Sequence, residues 1–109
     1  MSKPSNMPPA EFQILLALAD GAKHGHGIKV DVVDRTEGRI HMGPGTLYGA
    51  IKRLLRREWI EEVTASVEDL EDERLRYYAA LPDGLAAARE EAARMAALLG
   101  IAQAKRLIS

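Results

Sequence analysis

The spacing of apolar residues changes character twice along this chain. Phe12, Leu15, Leu16 and Ala19 follow the i, i+3, i+4, i+7 spacing of an amphipathic helix, which Asp20-Gly21 ends. A small turn through Lys23-His24-Gly25 leads to Ile28, Val32 and Val33, a second and shorter helix ending near Thr36-Glu37-Gly38. Its β-branched residues lower intrinsic helix propensity, so packing must hold it. Residues 39–42 read as a short extended segment. Pro44 suits the first turn of a third helix, where a missing N–H costs nothing. At about 100° per residue, Leu47, Ala50, Ile51, Leu54 and Leu55 of that helix share one arc.

The period then shortens. Residues 59–64 and 74–80 are rich in strand-favouring side chains, and in the second run Leu75, Tyr77 and Ala79 alternate with Arg74, Arg76 and Tyr78, as a half-buried strand requires. Between them, residues 66–73 are polar and acidic, as an exposed hairpin tip would be. From Pro82 to about Leu107 an alanine-rich helical pattern resumes, extending nearly 40 Å at roughly 1.5 Å per residue. Leu85, Ala88, Ala92, Met95, Leu99 and Ala102 alternate spacings of three and four, a seam whose small residues permit close approach of another helix. The pattern predicts a dimerisation arm, and a helix folded back on its own domain is the competing reading. Gly100 invites a bend in either, and Arg106 leaves the seam and marks its end. The expected fold is mainly α with a small β-hairpin: residues 1–9 a flexible tail, 10–81 a winged helix-turn-helix domain, 82–109 the dimerisation helix.

Charge sharpens this picture. A chain of 109 residues with a net charge of −1 is no polycation, yet its charges are segregated. Residues 43–57 hold Lys52, Arg53, Arg56 and Arg57 and no acid; residues 58–73 hold Glu58, Glu61, Glu62, Glu68, Asp69, Glu71, Asp72 and Glu73 and no base. On the third helix Gly45, Tyr48, Gly49, Lys52, Arg53 and Arg56 fill the arc opposite the apolar one, so a greasy face backs a cationic face. Such a face is either an ordinary solvated surface or a nucleic-acid contact. Helix, helix, helix, hairpin favours the second.

Five patches, in order, resemble the PadR-like family of winged-helix transcriptional regulators. They are Leu15-Leu16-Ala17-Leu18 with His24-Gly25-His26-Gly27-Ile28; Gly45-Thr46-Leu47-Tyr48 with Lys52-Arg53-Leu54; Ile60-Glu61; Arg76-Tyr77-Tyr78; and Pro82-Asp83-Gly84. The single C-terminal helix is similar to the family's compact branch. The resemblance implies a homodimeric repressor whose third helix enters the major groove of a double-stranded DNA operator. It also implies a wing that touches backbone or minor groove, a last helix that crosses its partner, and relief by small phenolic or drug-like effectors. The family's usual Tyr, Pro, Gly, Leu and Thr are replaced here by His26, Gly49, Glu58, Trp59 and Leu81. Glu58 is the sharpest departure, since Gly there would end the helix in a left-handed conformation that strains Glu. The third helix is therefore expected to end differently; at the start of the last helix, where Leu81 replaces the usual Thr cap, Asp83 is expected to cap one turn later.

The expected DNA-binding residues are Gly45, Thr46, Tyr48, Gly49, Lys52, Arg53 and Arg56, with His41 close by and Arg74 and Arg76 from the wing. Lys52, Arg53 and Arg56 would meet phosphates, which supply affinity without sequence information. Thr46 could cap the helix or read a base, and Tyr48 could pack on Leu55 or reach DNA. Arg74 and Arg76 could instead be neutralised within the hairpin. Trp59 belongs under the hairpin or in an effector pocket between subunits. His24, His26 and His41 lack the companions of a metal site, so no metal or cofactor is expected, and His24 is assigned to fixing the turn before the second helix. There is no phosphate loop or nucleophile elbow, so no enzyme is expected. The absence of cysteine, of a secretory leader and of a bilayer-length apolar run suggests a cytoplasmic protein without membrane contact. The rival class is a protein-interaction module that uses the acidic wing and helical arm without reading DNA.

Overall fold

A computed structural model describes residues 7–63 and 76–109. The elements are α1 (Pro9–Leu18), β1 (Lys23–His24), α2 (Gly25–Arg35), α3 (Pro44–Arg56), β2 (Ile60–Val63), β3 (Tyr77–Ala80) and α4 (Pro82–Ala104).

α1 forms the hub, packing against α2, α3, α4 and β3. It therefore buries most of its circumference, including Phe12, Ile14, Leu15, Ala17 and Leu18. This corrects the single stripe expected from periodicity: Leu16 and Ala19 lie outside the core, Leu16 with 43% exposure. A helix surrounded by neighbours carries apolar residues all round, and its 3.6-residue period loses contrast. Ile28 and Val32 from α2, Met42, and Leu47, Ala50, Ile51 and Leu54 from α3 complete the interior, closed by Ile60 and Tyr78.

α2 begins on His24, whose Nδ1 accepts the Gly27 N–H at 2.9 Å. The ring lies edge-on to Tyr77 and stacks near His26. α2 ends where expected, and residues 39–42 form no strand. The Thr36 hydroxyl donates to the Val32 carbonyl (2.8 Å) and accepts the Ile40 N–H (3.1 Å), so the chain leaves α2 in a side-chain-tied turn.

Beyond the hairpin expected from sequence, β1 joins as a third strand, giving the antiparallel order β1-β3-β2. Lys23 pairs with Tyr78 and His24 with Tyr77, while Ile60 faces Ala80 and Val63 faces Tyr77. The buried residue of β3 is Tyr78, with Tyr77 and Ala79 only half-buried. The expected alternation thus runs in the opposite phase, because β3 lies between two strands and turns Tyr78 and Ala80 to the core. Burial, and secondarily the nearby Glu62 carboxylate, pushes the Tyr78 phenol above its ordinary pKa.

α3 does end at a left-handed residue. Glu58 has φ 59°, the Glu58 N–H donates to Leu55 O (3.0 Å), and the Trp59 N–H donates to Leu54 O (3.1 Å). These are the paired bonds of a Schellman cap, so replacement of Gly by Glu does not alter the helix end. α2 and α4 close in the same manner around Glu37 (φ 54°) and Arg106 (φ 61°). Asp83 does not cap α4: the helix already starts at Pro82, with Leu81 at the cap position and no side-chain cap bond. The helix runs on through Gly100 to Ala104. Its first turn rests on the start of β2, where the Leu81 N–H donates to Trp59 O at 2.8 Å and Gly84 lies directly over the Trp59 backbone. Among the described residues no helix is long and apolar enough to cross a membrane.

Candidate nucleic-acid interface

α3 divides as its sequence pattern predicts. Leu47, Ala50, Ile51 and Leu54 are buried, while Gly45, Thr46, Tyr48, Lys52, Arg53 and Arg56 are exposed and Gly49 is half-buried. Gly43 occupies the cap position without a side-chain cap bond, so Thr46 is not the capping residue and its side chain stands exposed in the first turn. The first-turn N–H groups of a helix lack intrahelical partners, and together with the helix dipole they favour an anion.

Tyr48 sits on the seam between α3 and α2, beside Gly25. A Cβ added at Gly25 would fall 2.6 Å from its hydroxyl oxygen, so only glycine lets the phenol lie across the N-terminus of α2. The ring nevertheless remains 43% exposed.

The four cations behave differently from one another. Among the described residues, Lys52 and Arg56 have no ion-pair partner. Arg53 directs its Nε toward Glu11 Oε2 on α1 at 4.0 Å, and Arg57 brings Nη1 to 3.4 Å from Glu11 Oε1. The Arg57 guanidinium also lies 4.9 Å from the centre of the Trp59 ring, a cation–π contact. Glu11 is completely buried, and sequence reasoning missed it. Its one visible signal was being the single charged residue of α1.

The remaining candidates scatter around this face. His41 is exposed in the connection before α3. Arg76 is exposed ahead of β3, with its Nε 3.6 Å from Glu62 Oε1. Arg74 and the acidic tip at 66–73 lie outside the described residues. Trp59 is half-buried, flanked by Arg57 and the root of α4. Of the α4 seam, Ala88 packs on the chain's own core and Leu85 is half-buried, Ala92, Met95 and Leu99 are exposed, and Ala102 is half-buried. Leu98 (67% exposed) and Ile101 widen the uncovered apolar band, and the three-and-four spacing had omitted both.

A three-helix core, a small antiparallel sheet beside it and a basic helix face exposed among the described residues define a winged helix-turn-helix protein. The sequence profile of the "Transcriptional regulator PadR-like family" matches residues 14–90. The chain belongs to the PadR-like family of transcriptional regulators. It is 37% identical over 92 residues to a 37.1 kDa protein in transposon TN4556 of Streptomyces fradiae, an alignment covering 84% of this chain and 24% of that protein, so the chain spans about a quarter of that relative. Among solved structures, it resembles a transcriptional regulator from Clostridium thermocellum, Cth-833, with a TM-score of 0.71, 20% identity and 86% of each chain covered. The C30AH42A mutant of Lactococcus lactis ZitR gives 0.68 at 18% identity, covering 100% of this chain and 69% of that one. RosR of H. salinarum gives 0.67 at 17%, covering 97% and 100%. At these identities the structural likeness establishes the fold.

Proposed function

We propose that this chain is a cytoplasmic homodimeric repressor that binds a near-palindromic DNA operator through α3. In this reading residues 10–81 bind DNA and residues 82–109 form the dimerisation arm. The two copies of α3 enter successive major grooves about 34 Å apart, and a small aromatic ligand beside Trp59 relieves binding. The observation that carries the proposal is the exposed, acid-free face of α3, on which Lys52 and Arg56 stand without ion-pair partners among the described residues. The apolar band on the distal half of α4 supports the dimer.

The test is an anisotropy titration of duplex DNA across a salt series. Log affinity is expected to fall steeply with log salt, because Lys and Arg displace condensed counterions from phosphates. Lys52→Ala and Arg56→Ala should each weaken binding to all sequences and reduce the slope by about one. Thr46→Ala or Tyr48→Phe should change the preference among operators selected from a random pool. A salt-independent titration would refute direct DNA binding.

A further inference from the structure

Glu11 is an unusual residue to find under a basic helix. It has zero exposure, and neither carboxylate oxygen has a hydrogen-bond partner. A charge so placed persists only if opposite charges compensate it. The compensating groups are Arg53 in the last turn of α3 and Arg57 at its C-cap, four residues apart, and they are held unequally. Arg57 has two partners, Glu11 at 3.4 Å and the Trp59 ring at 4.9 Å, while its side chain stays 43% exposed. Arg53 reaches Glu11 only through Nε at 4.0 Å, and its Nη1 lies on the other side, 3.6 Å from where a Cβ on Gly49 would stand.

We propose that Glu11 is a positioning residue for DNA binding, resting on the reading of α3 given above. From beneath the helix its carboxylate withdraws Arg57 from the phosphate-contacting set and lays Arg53 across the exposed face beside Gly49. A residue that never meets DNA thereby determines how many cations do: Lys52 and Arg56 freely, Arg53 in a set orientation, Arg57 not at all. This restrains sequence-independent affinity, which grows with every phosphate neutralised, relative to base readout.

The experiment measures the salt slope on a mixed-sequence duplex for the full chain and for Glu11→Gln, Arg57→Gln and the double variant. Arg57→Gln should keep the parent slope, since Arg57 releases no counterion. Glu11→Gln should steepen it by about 0.9, the increment for one added phosphate contact. The double variant should return to the parent value. An unchanged slope in Glu11→Gln, with or without lost thermal stability, would assign Glu11 a purely structural role and overturn the proposal. If Glu11→Gln does not fold, Arg57→Gln decides alone: an unaltered slope supports withdrawal, and a slope shallower by about 0.9 refutes it. A flat slope in the parent chain removes the DNA-binding reading and this inference together, whereas a steep parent slope that Glu11→Gln leaves unmoved removes the inference only.

Discussion

Glu58 adopts a backbone conformation that an L-residue enters at a cost of roughly 1–2 kcal/mol, and it does so because the bonds to Leu54 and Leu55 require it. Glycine would remove that strain while adding about 0.5–1 kcal/mol of unfolded-state entropy. Glu58→Gly is therefore expected to stabilise the fold by up to about 1 kcal/mol, read as a higher urea midpoint at unchanged m-value; a lower midpoint would show that the Glu side chain contributes more than its backbone costs. This residue also shows how far local reasoning reached. The left-handed requirement at position 58 was legible, but the assumption that Glu would decline it was not correct. Glu11 and Tyr78 were illegible for a related reason. Whether a carboxylate is buried, or which phase of a strand turns inward, depends on what packs against it from distant sequence.

The elements were legible in proportion to how one-sided their surroundings are. α3 has core on one face and solvent on the other, and its boundaries and faces follow from the pattern. α1 is packed on several sides and was read with the wrong edge buried. β1 is two residues long and exists through its pairing with β3, which no local period announces. The docking of α4 on β2 was equally hidden, because it depends on Gly84 meeting the main chain of a residue far away in sequence. A Cβ at position 84 would clash with the Trp59 carbonyl oxygen, a main-chain atom with no flexible side chain to give way. Gly84→Ala should therefore cost about 1–3 kcal/mol, as overpacking of a tight contact does. Thermal denaturation would show it, and a melting temperature within error of the parent would mean that α4 shifts freely on β2.

At the scale of the whole molecule, the described chain measures 53 × 34 × 23 Å, elongated as a body carrying a 23-residue helix would be. The distal half of that helix leaves Met95, Leu98, Leu99 and Ile101 mostly in solvent. A contiguous apolar band of this kind is what a stable helix–helix interface buries. In the proposed dimer, Leu98→Glu combined with Leu99→Glu should convert the parent's dimeric sedimentation to monomeric, with the far-ultraviolet circular dichroism retained. A parent chain that sediments as a monomer at tens of micromolar would rule out this use of α4.

Trp59 stands between the two ends of this assembly. Its carbonyl receives the first turn of α4, and its ring holds the arginine that follows α3. The root of the arm and the tail of the basic rod consequently meet at one residue, which packs against the edge of the aliphatic interior. A torque on the arm, whether from a neighbouring subunit or from a molecule wedged beside the indole, would reach the charged surface through one hydrogen bond and one cation–π contact.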